Sequence, residues 1–222
     1  MNDTASVLTH ASRANIFQTD ARWCLGADAL VREGGAPANA PWWAHALRIF
    51  LRVIWPWTGI KIEPGGAARF AYTGITELRL SYDPTRFDAR RHRCDVRSAS
   101  GAGTLWSTHF AGVADFEDRA ASYTPFVRAL VAHVAAANPN CAFRAGTRPL
   151  AYWAGQLFLL AMAIVAIWVI AMVGGSALSE VTWAKLFVVI GLIPLAFAYA
   201  RKNRPRRFEP GAIPADVLPD SE

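Results

Sequence analysis

Residues 70–110 read FAYTGITELRLSYDPTRFDARRHRCDVRSASGAGTLWSTHF, and the period of this stretch decides the fold. Leu78, Leu80 and Tyr82 alternate with Arg79 and Ser81, and the Asp83-Pro84 turn ends that run. His92, Cys94 and Val96 then alternate with Arg93, Asp95 and Arg97. A strand with one buried face requires this pattern, because successive side chains point to opposite faces. A turn at Ser100-Gly101-Ala102-Gly103 leads into Thr104 to Phe110, and strands joined by such short turns predict an antiparallel meander. Upstream, Trp23, Leu25 and Ala29-Leu30-Val31 predict a first strand or hairpin closed by Gly34, Gly35 and Pro37.

Downstream the period changes. After an acidic start at Asp115, Glu117 and Asp118, residues Ser122 to Asn138 place Phe126, Leu130 and Val134 four apart, with Val127 and Val131 widening the stripe. That spacing predicts an amphipathic helix packed on the sheet, with His133 at its surface or boundary. Asn138-Pro139-Asn140 stops it, since the residue before a proline resists helical geometry. The fold class expected is therefore α+β: a small antiparallel sheet or barrel closed by a C-terminal helix.

Two apolar runs follow, Ala151 to Val173 and Val181 to Ala200, separated by a Gly/Ser turn. The first carries no charge, and at 1.5 Å per residue it covers the roughly 30 Å of a bilayer core, so a transmembrane helical hairpin is expected. Lys185 and Pro194 make the second run the weaker. Tyr152, Trp153, Trp183 and Tyr199 fall where aromatic belts sit, and Arg201, Lys202, Arg204, Arg206 and Arg207 serve as topology determinants. Arg144 and Arg148 flank the other end, so both termini are expected in the cytoplasm of a bacterial inner membrane.

Composition fits one globular domain over residues 15–145, with 53% hydrophobic residues and a net charge of +6 in the whole chain. Residues 1–14 are expected to be flexible and 201–222 to form a basic, then Pro-rich, tail that is mobile from 208 onward. No signal-peptide core is expected in the polar first forty residues. Cys24, Cys94 and Cys141 are odd in number and lack CxxC spacing, which suits free thiols.

The order of strands, the Tyr82-Asp83-Pro84-Thr85-Arg86 turn, the polar strand with Cys94 and the Tyr123-Thr124-Pro125-Phe126 helix opening together resemble bacterial pleckstrin-homology-like domains attached to membrane spans. The resemblance covers roughly residues 15–145. It implies bent antiparallel sheets plugged by a C-terminal helix, and a binding or scaffolding role.

Between Pro41 and Trp57 lies a Trp-rich insert, longer and more apolar than a simple loop. On a helix, His45, Arg48 and Arg52 share a narrow polar face while Trp42, Trp43, Leu47 and Phe50 cover the rest. Such a helix can dock at a lipid interface or cover the sheet. A second candidate contact is the cluster Arg86, Arg90, Arg91 and Arg93, whose guanidinium forks match phosphate oxygens, although Asp83, Asp88 and Asp95 are interleaved. Anionic headgroups are the expected partners, with a protein partner or homo-oligomer also open; nucleic acid is not expected, as no recognition motif accompanies the charge.

Enzyme chemistry leaves little trace. GxxxxGK[ST], HExxH and GxSxG are absent; Ser107, His109 and Asp115 are the only nucleophile set to consider, and Ser107 with His109, like His92 with Cys94, has the spacing of two that puts both on one strand face without the geometry of a triad. Asp115, Glu117 and Asp118 are the usual companions of a helix N-terminus rather than metal ligands. No catalytic residue, cofactor or metal is expected. The function expected is a membrane-anchored, non-catalytic binding or scaffolding module; the alternative is an accessory subunit whose hairpin assembles into a transport or envelope complex.

Overall fold

The computed structural model describes residues 8–13, 19–35, 66–84, 88, 90–112, 115–173 and 200–219, with the side chains of 162, 166, 167 and 169–173 outside that description. Four strands come first: β1 Thr9–Ser12, β2 Ala21–Leu25, β3 Ala29–Gly34 and β4 Ala68–Ala71, an antiparallel sheet in that order. Next come β5 Ile75–Tyr82, β6 His92–Ser98 and β7 Gly101–Trp106, the predicted meander. A separate hairpin, β8 Thr108–Gly112 with β9 Asp115–Asp118, precedes helix α1, Ala120–Ala137.

The register explains the alternation. Leu78 faces Val96, Leu80 faces Cys94, and Cys94 faces Leu105, so one side of the sheet is an apolar floor. On the other side Glu77 opposes Arg97, Arg79 opposes Asp95, and Asp95 opposes Thr104, giving complementary cross-strand pairs. Against the floor, α1 buries Tyr123, Phe126, Val127, Leu130, Val131 and Val134, completing a core with Trp23, Leu30 and Phe70 of the first sheet. Asn138 seals the helix end: its N–H donates to Val134 O (2.8 Å), and its side-chain amide donates to Thr73 O (3.2 Å) and Ile75 O (2.9 Å).

Three departures from expectation concern the sheets. Strand β10, Ala142–Ala145, pairs parallel to β5, with Phe143 against Leu78 and Ala145 against Leu80, so the sheets are mixed and no closed barrel forms among the described residues. The α1 crossover permits this, since parallel neighbours need a long connection. The run Thr104 to Phe110 is two strands broken at Ser107, whose Oγ accepts the His92 N–H at 2.8 Å. Within the segment expected to be flexible, β1 is a sheet strand, and its inward residues His10 and Ser12 are only 1% and 2% exposed.

Another correction concerns the membrane. Among the described residues no helix is long and apolar enough to cross a membrane, which overturns the two-span hairpin and the inner-membrane placement. The first run is helical, as α2 Pro149–Val173. Residues 181–199 of the second run lie outside the described residues.

The tail is also built into the fold. Strand β11, Arg206–Arg207, pairs antiparallel with β10, extending the second sheet to the order β11-β10-β5-β6-β7. Phe208 N–H donates to Phe143 O at 3.2 Å, the two rings lie 5.9 Å apart, and Val217 and Leu218 enter the core at 0% and 4% exposure. Prolines limit pairing to two residues but do not hinder this side-chain packing.

Candidate functional site

Strand directions gather a set of cations at one end of the five-stranded sheet. Tyr82 closes β5 opposite His92, which opens β6; Trp106 closes β7 opposite Arg93; Ala145 closes β10 opposite Arg206, which opens β11. Chain segments entering and leaving at those positions carry Arg90, Arg91, Arg93, Arg148, Arg201, Lys202 and Arg204. The expected division between a contact cluster and a set of topology determinants therefore disappears in space, because Arg90, Arg91 and Arg93 share this end with Arg201, Lys202 and Arg204.

These cations differ in availability. Arg93 bridges Asp83 at 3.3 Å and Asp95 at 3.1 Å, as the interleaved acids led us to expect. The Arg91 guanidinium lies 3.7 Å from the Trp106 ring centroid, with that of Arg93 5.7 Å away on the same ring. Burial, the largest influence on it, lowers the Arg91 pKa, while Asp83 and Asp88 oppose that shift. Lys202 Nζ sits 4.6 Å over the Tyr82 ring, and Arg206 is ion-paired to Asp216. Among the described residues Arg90, Arg148, Arg201 and Arg204 are exposed and make no ion pair.

Arg79 builds the bend beneath them. At 4% exposure, its Nη1 donates to Gly146 O (3.3 Å) and Thr147 O (3.0 Å), while Nε and Nη2 donate to Glu77 Oε1 (3.0 and 2.6 Å). Gly146 has φ +79°, and a Cβ there would lie 2.6 Å from Asn203 O and 2.4 Å from Arg204 O, so the bend passes directly under the returning chain. Thr147 N–H and Oγ1 both donate to Asn203 O, at 3.1 and 3.3 Å.

Trp42, Trp43, Arg48, Arg52 and Arg86 lie outside the described residues. Sequence reasoning missed Trp106 as a platform for Arg91 and Arg93, although its register position beside Arg93 was implicit in the alternation. It counted Arg148 only as an orientation charge. It also missed His10, whose Nε2 donates to Trp106 O at 2.8 Å and whose Nδ1 lies within hydrogen-bond distance of Ser122 Oγ, at 3.0 Å. Burial lowers the His10 pKa, with Trp106 O raising it and Arg119 lowering it further.

The other polar candidates are absorbed by structure. Ser107 Oγ bonds the His92 amide, His109 pairs with Glu117 across the hairpin, and Asp115 pairs with Gly112, so Ser107, His109 and Asp115 form no triad. Asp118 Oδ1 accepts the Ala120 N–H at 2.7 Å and Glu117 is ion-paired to Arg119, so these carboxylates cap α1 and its approach. They lie in strand β9, ahead of α1. Burial raises the pKa of Cys94 strongly and that of Cys141 to about 11, which disfavours the reactive thiolate. His133 is exposed and stacks on Tyr72 at 5.4 Å. Comparison of the chain with protein-family models, curated proteins and solved structures gives no match.

Proposed function

We propose that the chain is a non-catalytic binding module whose basic end engages the phosphate-bearing headgroups of an anionic lipid surface. One observation carries this reading: Arg90, Arg148, Arg201 and Arg204, from three separate chain segments, are exposed at the same end of one sheet and make no ion pair among the described residues. Cations gathered in this way repel one another and set up a positive potential that favours an anionic partner. Guanidinium forks match phosphate oxygens in two-point geometry, and each such residue near an anionic surface is worth about 1 kcal/mol. The taken-up carboxylates and the raised thiol pKa values of Cys94 and Cys141 support a binding role over chemistry.

Flotation of the full chain with phosphatidylcholine vesicles, with and without phosphatidylglycerol, tests the proposal across a salt series. Neutral vesicles report any adsorption through the exposed Leu150, Trp153 and Leu157 of α2, so the difference between the two reads headgroup charge. Extra binding to the anionic vesicles that fades with salt is expected, because exposed charges are screened over about 10 Å at 0.1 M. Equal binding to both would overturn the lipid reading and turn the search to an acidic protein surface.

A further inference from the structure

The basic end is not carried by one rigid element. Lys202 and Arg204 reach it on a chain segment that returns from elsewhere and is held by contacts further along: β11 against β10, Phe208 against Phe143, the Arg206–Asp216 ion pair, and Val217 and Leu218 in the core. We propose that residues 203–218 act as a strap whose docking assembles the anion-binding end, so that docking and binding reinforce each other. This inference rests on the function proposed above and adds its regulation.

Three features support it. The strap is fastened at two ends, by the Thr147–Asn203 bonds beside the cations and by the Val217-Leu218 plug beyond them. Between the ends it has only a two-residue strand, so its backbone ladder is short and its hold depends on side chains. Segments held by few backbone bonds open locally at lower free energy than core strands. If the undocked strap removes Arg201, Lys202 and Arg204 from the company of Arg90 and Arg148, headgroups bind the docked state better. Linkage then requires that bound headgroups stabilise docking by the same factor.

Gly146→Ala tests this without altering any charge or any strap residue, because its Cβ would fall against Asn203 O and Arg204 O. Val217→Asp, which removes the plug, is the second variant. Each is measured in the full chain by flotation with phosphatidylglycerol vesicles and by amide exchange, at Val217 and Leu218 in Gly146→Ala and at Leu218 in Val217→Asp; in the unaltered chain these N–H groups bond Pro214 O and Ala215 O. In the unaltered chain, anionic vesicles should slow that exchange by about fivefold or more, the low end of ordinary couplings. In Gly146→Ala, exchange should quicken and anionic binding should fall by a similar factor.

Two results overturn the strap. One is an unaltered chain that binds anionic vesicles with no slowing at Val217 and Leu218, a measurement that does not depend on any variant folding. The other is a Gly146→Ala chain with faster exchange and undiminished binding. Failure of the unaltered chain to prefer anionic vesicles at all is a different outcome, and it removes the function proposed above together with the strap.

Discussion

Gly103 of β7 lies directly beneath the indole of Trp23 from β2: a Cβ on Gly103 would stand 2.5 Å from Trp23 Cη2 and 3.4 Å from Phe70 Cζ. The two sheets therefore meet where one strand has no side chain, and Trp23, stacked with Phe70 at 6.2 Å, fills the space. Gly103→Ala must push a fully buried ring aside. Overpacking of this kind costs about 1–3 kcal/mol, which should appear as a lower urea midpoint and a shifted Trp emission. A midpoint equal to that of the unaltered chain would mean the sheets have slack at this contact.

His10 makes stability depend on pH. Its native pKa is lowered, chiefly by burial, so below the ordinary value of 6.5 the unfolded chain takes up a proton that the native chain refuses. The stabilisation is complete above pH 6.5 and is lost as pH falls toward the lowered native value, with a slope of up to about 1.4 kcal/mol per pH unit for one proton. His10→Asn removes that titration. Unfolding free energies measured between about pH 7 and 5, the range that brackets an ordinary histidine, should thus fall more steeply for the unaltered chain than for the variant. Parallel slopes would show that His10 is protonated alike in both states.

Charge at the basic end should be divisible. Replacing Arg90, Arg148, Arg201 and Arg204 singly by Gln should each weaken binding to phosphatidylglycerol vesicles by about fivefold, the equivalent of about 1 kcal/mol. The salt dependence should flatten with each replacement, because fewer screened contacts remain. Arg207→Gln is the control: it is exposed on β11 opposite Arg144, one register step away from the end where Arg206 meets Ala145. Equal losses in all variants would indicate response to net charge alone.

What was legible in the sequence follows from burial. Strands β5, β6 and β7 announced themselves because one face is sealed by α1, so Leu78, Leu80, Cys94 and Val96 had to alternate with charge. Strand β1 did not, since the residues it turns inward are His10 and Ser12, buried by hydrogen bonding and packing rather than by hydropathy. Asp115, Glu117 and Asp118 read as the residues ahead of a helix, but the β8–β9 hairpin they belong to, where Phe116 pairs edge-on with Phe110, showed no pattern of its own. In the tail, Val217 and Leu218 plug the core as a single pair, too few to show any period. The convergence of Arg90 with Arg148 and Arg204 depends on the parallel pairing of β10 with β5, a long-range fact that no local pattern encodes.

Arg79 offers the sharpest test of how the basic end is supported. It is nearly buried, it is the only residue bonding both the Glu77 carboxylate and the carbonyls of Gly146 and Thr147 among the described residues, and Glu77 otherwise has Arg97 at 3.6 Å and Arg144 at 3.9 Å. Arg79→Met leaves a carboxylate with weakened partners and two carbonyls without theirs, a loss of roughly 3–5 kcal/mol for a buried pair. Arg79→Lys keeps the charge but not the fork, so its midpoint should lie between those of the unaltered chain and the Met variant. Adding Glu77→Gln to Arg79→Met should recover part of the loss, because the stranded charge is then gone; the recovered part is the coupling between the two side chains. If Arg79→Met is as stable as the unaltered chain in urea, the bend at Gly146 holds without its arginine.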